Sequence, residues 1–154
     1  MIAYLGIGTN LGDRTANLSR AVALIAEQAG HVLACSSFIQ SAPWGFHSEN
    51  TFLNAVVAID TSLTPHELLA STQTIEREMG RTHKTINSHY TDRIIDIDIL
   101  LYENLIVDTP DLQIPHPHLL DRAFVYQPLI EIAPDVVRQL SHINQCHNEN
   151  LILR

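Results

Sequence analysis

Cysteine is scarce in this chain of 154 residues: Cys35 and Cys146 are the only two, too few for a disulfide framework and suited to a reducing cytoplasm. Positive charge is also short. Nine Lys and Arg stand against 17 Asp and Glu, a formal net charge of −8, which argues against a nucleic-acid binder working through a basic surface. No run of about 18 apolar residues occurs, so no membrane-spanning helix is expected. Met1-Ile2-Ala3-Tyr4 enters a strand-like run with no charged stretch before it, so no signal peptide is expected either. Internal repeats, low-complexity segments and linkers are absent. What is present is 45% hydrophobic residues, ordinary for a globular chain and contrary to disorder. One domain over 1–154 is the expectation, long enough to bury a core.

The most informative stretch is Tyr90-Thr91-Asp92-Arg93-Ile94-Ile95-Asp96-Ile97-Asp98-Ile99-Leu100-Leu101. From Ile94 to Leu101 it reads as a β-strand rich in β-branched residues. Side chains alternate between faces, so Ile95, Ile97 and Ile99 share one and Asp96 and Asp98 the other. The isoleucine row calls for a core. Two carboxylates this close repel each other, and they raise a pKa or recruit a cation. A hard divalent cation such as Mg2+, which takes oxygen ligands and bridges to phosphates, suits the pair. A solvated polar face on an amphipathic strand is the plain alternative.

Taken in order, the chain predicts a strand over Ile2 to Ile7, then turn chemistry at Gly8-Thr9-Asn10-Leu11-Gly12-Asp13. The glycine spacing there is wrong for a dinucleotide-binding loop. A helix from about Arg14 to Ala29 follows, burying Leu18, Ala21, Val22 and Ile25, with Gly30 placed as its C-terminal cap. His31 to Gln40 reads as one strand. The loop Ser41 to Asn50 contains Pro43, Trp44, Gly45 and Phe46, whose rings could clamp a flat ligand or cover the core. Phe52 to Asp60 is a strand with Asn54 polar among apolar neighbours. Thr64-Pro65-His66-Glu67 is a capping box with proline at the first helical position. The helix it starts buries Leu68, Thr72, Ile75 and Met79, carries Gln73 and Glu76 on a neighbouring face, and closes at Gly80.

Arg81 to Asp92 is a polar loop whose cationic groups, Arg81, His83 and Lys84, precede the acidic strand. That juxtaposition suits a metal–phosphate complex; a solvated loop is the alternative. Prolines flank His116 in Ile114-Pro115-His116-Pro117-His118 and present it rigidly. No further ligand set accompanies this H-x-H pair at a zinc spacing. Val107 could lie in a short strand, Leu119 to Ala123 is a helical turn bearing Arg122, and the stretch from Asp135 is a polar tail with His142, Cys146 and His147 at its surface. The order up to the acidic strand is β-α-β-β-α-β, an α+β, ferredoxin-like sandwich with a mainly antiparallel sheet, packed helices and additional C-terminal elements. As the last of four strands, the acidic one is expected inside the sheet.

These motifs, in this order, resemble the family of 6-hydroxymethyl-7,8-dihydropterin pyrophosphokinases of folate biosynthesis. The matching residues are Leu5-Gly6-Ile7-Gly8-Thr9-Asn10-Leu11-Gly12, Pro43-Trp44-Gly45 with Phe52-Leu53-Asn54, and Thr72-Gln73-Thr74-Ile75-Glu76 with Gly80-Arg81. They continue with Arg93-x-x-Asp96-Ile97-Asp98-Ile99-Leu100, Ile114-Pro115-His116-Pro117 and Arg122-Ala123-Phe124-Val125. The resemblance covers roughly Ile2 to Pro134, and the tail 135–154 matches loosely. It implies an enzyme that moves the diphosphate of ATP onto the pterin hydroxymethyl group and releases AMP; a cytoplasmic monomer with no membrane or nucleic-acid partner is the accompanying expectation. It implies that Asp96 and Asp98 ligate two Mg2+ ions and that Arg81 and Arg93 contact phosphates. It places Gln73, Glu76, His83, Tyr90, His116 and Arg122 at the ATP site. It places Ser41, Ala42, Pro43, Trp44, Phe52, Asn54 and Phe124 at the pterin, with Phe52 and Phe124 stacking on its faces. This chain departs from the pattern at His83, where many members have arginine, at Tyr90, usually tryptophan, and at Asp111, which some relatives replace with a basic residue.

Two other readings compete. A two-metal phosphohydrolase or nuclease would use the same carboxylate pair but calls for more ligands and a less acidic surface. A non-catalytic ferredoxin-like ligand-binding module is permitted by the fold but has no need of the carboxylate pair or His116.

Overall fold

Strand β1, Ile2–Thr9, sits where the apolar pattern places it, with Leu5 and Ile7 buried on one face and Gly6 and Gly8 on the other. In this computed structural model, which describes residues 1–42, 50–80 and 92–152, with side chains up to residue 145, β1 is a central strand of the sheet. Helix α1, Arg14–Gln28, starts on Asp13, whose carboxylate accepts the Ala16 N–H at 3.1 Å, and buries Leu18, Ala21 and Ile25. Gly30, expected as the C-terminal cap, follows Ala29 at the end of the helix and donates its N–H to the Ile25 carbonyl at 3.2 Å, without a positive φ. A Cβ there would lie 2.5 Å from the Asp60 carbonyl oxygen, so a close approach of two backbones requires the glycine. Gly80 does close the second helix with φ +91°.

The single strand expected over His31 to Gln40 is two, β2 at His31–Cys35 and β3 at Ile39–Ser41. Both pair with β4, Phe52–Asp60. Ser36 causes the break: its Oγ, not a backbone carbonyl, accepts the Val56 N–H at 2.8 Å. Helix α2, Pro65–Glu78, has the expected capping box, with Thr64 Oγ1 accepting the Glu67 N–H and Glu67 accepting the Thr64 N–H. Strand β5, Asp96–Tyr102, completes an antiparallel sheet of order β2–β4–β1–β5, with β3 on a second stretch of β4. The ferredoxin-like βαββαβ arrangement is therefore present.

The acidic strand is not inside the sheet. Among the described residues β5 pairs only with β1 and ends the strand order. The two later described strands pair with each other, so neither extends the sheet past it. Its register shifts between Tyr4 and Leu5, so Leu100 has no partner on β1, a one-residue bulge. The Leu100 carbonyl instead accepts the His116 N–H at 2.9 Å, which fixes His116 beside the strand. Strands β6, Val107–Thr109, and β7, Leu112–Ile114, form a separate hairpin. Helix α3, Ala123–Ile132, contains Pro128. The expected polar tail is a helix, α4, Pro134–Ile152, which seats Val136, Val137 and Leu140 against the rest of the chain; His142 is exposed, as expected.

Two cores result. Leu5, Ile7, Val57, Ile59, Ile97 and Ile99 pack with α1 and α2 on one face of the sheet. Val56, Leu100 and Leu101 pack with α3 and α4 on the other. No helix among the described residues is long and apolar enough to cross a membrane.

Candidate active site

Period-two alternation puts the polar residues of β4, β1 and β5 on the face shared with α3. Strand register then lines them up. Gly8 of β1 stands opposite Asn54 of β4 and Asp96 of β5, and Gly6 stands opposite Val56 and Asp98. Two rows therefore cross the sheet, each with a glycine between a β4 side chain and a carboxylate. The missing side chains leave a trough there, an open cleft of about 620 Å³. A Cβ on Gly8 would come within 3.0 Å of Asn54 Oδ1 and 3.6 Å of Phe52 Cδ1; one on Gly6 would meet Leu100 at 3.4 Å.

The cleft has unlike walls. Ser41, Ala42, Phe52, Asn54, Phe124 and Val125 line one side, and Arg93, Asp96, Asp98 and Arg122 line the other. Asn54 Nδ2 donates to Ser41 Oγ at 2.8 Å and to the Ile39 carbonyl at 3.3 Å. A carbonyl can only accept, so the amide nitrogen must face it, and Oδ1 is left on the Gly8 side to accept from a ligand. Arg93 lies over the Phe52 ring at 5.6 Å and Arg122 over the Phe124 ring at 5.9 Å, each guanidinium bracing an aromatic side chain.

On the charged side Arg93 Nη1 is 3.4 Å from Asp96 Oδ2, and His116 Nε2 is 4.0 Å from Asp98 Oδ2. Both arginines are buried. The His118 N–H donates to His116 Nδ1 at 3.1 Å, which places the ring proton on Nε2, facing Asp98. Burial first, then the charges of Arg122 and His118, push the His116 imidazole down to about 4, against the pull of Asp96. At neutral pH this histidine is an uncharged donor.

Of the residues singled out in the sequence, Ser41, Ala42, Phe52, Asn54, Arg93, Asp96, Asp98, Arg122 and Phe124 converge on this cleft, with His116 at its rim. Gln73 and Glu76 do not line it. They lie on α2, across the sheet, where buried Glu76 accepts the Ile97 N–H at 3.3 Å beneath the carboxylates. Pro43, Trp44, Arg81, His83 and Tyr90 lie outside the described residues. Asp111 is at the surface beside Thr109 and His66; hydrogen bonds from Thr109 and then His66 hold its carboxyl below the usual range.

Sequence reasoning missed two features. Gly6 and Gly8 are turn and motif residues by pattern, yet they shape the cleft floor; their period-two spacing opposite two aspartates is the available signal. Buried Asn10, a turn residue by pattern, contacts Asp92 and Arg93. No local pattern announces that contact.

The site offers two oxygen-donor carboxylates on a rigid strand, two buried guanidiniums, a neutral imidazole donor and an aromatic slot with an amide at its edge. Among the described residues no third carboxylate or histidine joins Asp96 and Asp98 in a metal-binding group. A cation there must complete its shell with ligand and water oxygens, the habit of Mg2+ at phosphates.

Residues 4–134 match the family described as 7,8-dihydro-6-hydroxymethylpterin-pyrophosphokinase. Curated relatives named 2-amino-4-hydroxy-6-hydroxymethyldihydropteridine pyrophosphokinase are similar along most of the chain. The protein of Porphyromonas gingivalis is 48% identical over 86% of this chain and 91% of its own. Those of Methylorubrum extorquens and Bacillus subtilis are 46% and 42% identical, over 88% and 90% of this chain and 84% and 81% of theirs. Among solved structures, an HPPK-DHPS protein in complex with substrates superimposes with a TM-score of 0.65 at 17% identity, over 86% of this chain and 40% of that one. A Plasmodium falciparum HPPK-DHPS gives 0.63 over 84% and 40%. The chain thus spans about two fifths of those solved chains, and at that identity they support the fold.

Proposed function

This chain belongs to the 7,8-dihydro-6-hydroxymethylpterin pyrophosphokinase family, and on that premise we propose how its cleft moves a diphosphate group from ATP to 6-hydroxymethyl-7,8-dihydropterin. The observation that carries the reading is the row Asn54–Gly8–Asp96 across three adjacent strands. It sets a heterocycle-recognition edge and a cation-binding carboxylate on one rigid floor, with only a glycine between them.

The flat pterin enters the aromatic side. Phe52 and Phe124 bound its faces, Asn54 Oδ1 accepts from its amino edge, and Gly8 gives the ring room to lie close to the sheet. The triphosphate occupies the charged side. Arg93 and Arg122 offer fixed, always-charged donors to its oxygens, and His116 Nε2–H adds a donor without adding charge. The pterin hydroxymethyl oxygen forms a bond to the β-phosphorus, the bridge between α- and β-phosphorus breaks, and AMP leaves with the bridging oxygen; the hydroxyl proton goes to solvent. Arg93 meets the charge that builds on the phosphoryl oxygens and, being buried and already paired with Asp96, needs little reorganisation to do so. Asp96 and Asp98 would hold two Mg2+ ions, which when bound supply charge neutralisation at the triphosphate. Arg81, by its place in the family motif, belongs to the same phosphate-binding set.

The described residues of a single chain supply both walls, which supports a monomer as the working unit. A reducing cytoplasm, where ATP is plentiful, is the compartment the cysteine usage favours.

Product analysis tests the reading. With Mg2+, ATP and hydroxymethyl-dihydropterin, AMP is expected in step with pterin diphosphate, and EDTA is expected to stop both. ADP as product, or AMP released without pterin, would remove it and favour the phosphohydrolase alternative.

A further inference from the structure

Asn10 lies just beyond β1. It is 3% exposed and does not line the cleft. Its N–H donates to the Arg93 carbonyl at 3.1 Å, and its Oδ1 accepts the Arg93 N–H at 2.7 Å. The Arg93 N–H can only donate, so the amide oxygen must face it and Nδ2 must point the other way. Nδ2 donates to Asp92 Oδ1 at 2.7 Å and leans toward the Asn50 carbonyl at 3.4 Å. The other Asp92 oxygen accepts Asn50 Nδ2 at 2.9 Å. One buried amide therefore ties together two segments about 40 residues apart. The first, through Asn50, leads two residues on to the Phe52 wall. The second, through Asp92, carries Arg93, which stacks on Phe52 at 5.6 Å and reaches Asp96 at 3.4 Å.

We propose that Asn10 is a positioning residue that, through the Asn10–Asp92–Asn50 chain of hydrogen bonds, sets the gap between the aromatic wall and the phosphate-binding wall of the cleft. The inference rests on the diphosphate-transfer reading above. In such a reaction the hydroxymethyl oxygen and the β-phosphorus must be held at contact distance. An error of about 1 Å costs up to about 10²-fold in rate. Asn10 serves because it donates and accepts at once, with its own backbone closing the second bond to Arg93. Alanine keeps only the backbone bond. Aspartate keeps the acceptor but sets a carboxylate against that of Asp92.

The hydrogen-bond polarity makes a reversal experiment available. In Asn10→Asp the kcat is expected to fall about 10²-fold, with both KM values within about threefold. In Asp92→Asn it is expected to fall about tenfold, because two amides then compete for one acceptor. In the double variant the amide now at position 92 can donate to the carboxylate now at position 10 and still accept from Asn50, and kcat is expected within about fivefold of wild type. A structural role alone would lower Tm and leave kcat per folded molecule unchanged. A kcat within about threefold of wild type in Asn10→Asp, or a double variant no better than Asn10→Asp, would overturn the proposal. Independently of turnover, hydrogen exchange at the Arg93 amide should quicken at least about tenfold in Asn10→Ala, which removes its acceptor. An Arg93 amide unprotected in the wild type would also overturn the proposal. A wild type that makes no pterin diphosphate yet shows the exchange effect would instead defeat the functional reading and leave the hub standing.

Discussion

The two faces of β1, β4 and β5 are built from the same strands and differ in almost every physical respect. Against α1 and α2 the inward positions are Leu5, Ile7, Ala55, Val57, Ile59, Ile97 and Ile99, all at most 5% exposed. One residue over, the same strands present Gly6, Gly8, Asn54, Asp96 and Asp98 to the cleft. The apolar face removes roughly 2 kcal/mol of side-chain surface from water for each large residue. The cleft face works against folding: two carboxylates repel, two guanidiniums are buried and two glycines carry a conformational-entropy cost. The lesson is a separation of labour along a period of two. Before the Leu100 bulge, stability on β5 comes from Ile97 and Ile99, and Asp96 and Asp98 can face the cleft because those neighbours already hold the strand.

The largest expected effect comes from exchanging one neighbour for the other. Asp98→Ala should lower kcat/KM by about 10³-fold or more with Tm nearly unchanged, since a charge facing the cleft is not part of the packing. Ile97→Ala, one residue away, should cost about 2–5 kcal/mol of unfolding free energy by denaturant titration and leave kcat of the folded fraction nearly intact. Loss of cooperative unfolding in Asp98→Ala would make the carboxylate structural and break the comparison.

A smaller effect is expected from pH. The His116 imidazole is held at about 4 in the fold against 6.5 unperturbed, chiefly by burial. The unfolded chain therefore binds this proton first. Stability from this group is fully present above about pH 6.5 and is lost as pH falls toward 4, by at most about 3 kcal/mol. Denaturant titrations in metal-free buffer should show wild type and His116→Asn differing by a constant above about pH 7, and that difference should close in the acid window. A difference that stays constant down to about pH 4 would show the ring to be solvated.

The smallest effect sharpens the cleft floor. Gly8→Ala places a methyl 3.0 Å from Asn54 Oδ1. The KM for the pterin should rise about tenfold with kcat little changed, while the KM for ATP stays put. An equal rise in both would place the pterin away from Gly8.

Much of this was legible locally. The isoleucine–aspartate alternation, the capping box at Thr64 and the apolar run Phe52–Asp60 each follow from side chains within a few positions of one another. What was not legible depends on pairing. Nothing near Ser36 says that its hydroxyl will take the Val56 N–H and split a strand in two. Nothing near Gly30 shows that Asp60 will press against it. The polar stretch after Asp135 hid a helix because its apolar stripe of Val136, Val137 and Leu140 is narrow and has meaning only against α3. Asp96 and Asp98 were expected inside the sheet, and only the strand order shows them at its end.

The sequence by itself determined the βαββαβ framework up to the acidic strand, which side of that strand would be dry, and that two carboxylates would stand together, because those properties follow from backbone periodicity and nearest-neighbour chemistry. Tertiary structure alone decided that Asn54, Gly8 and Asp96 form one row, that the Leu100 bulge delivers His116 to Asp98, and that Asn10 joins Asn50 to Asp92. The reason is physical: register and crossover are settled by the packing of distant segments, whose energies no window along the chain contains.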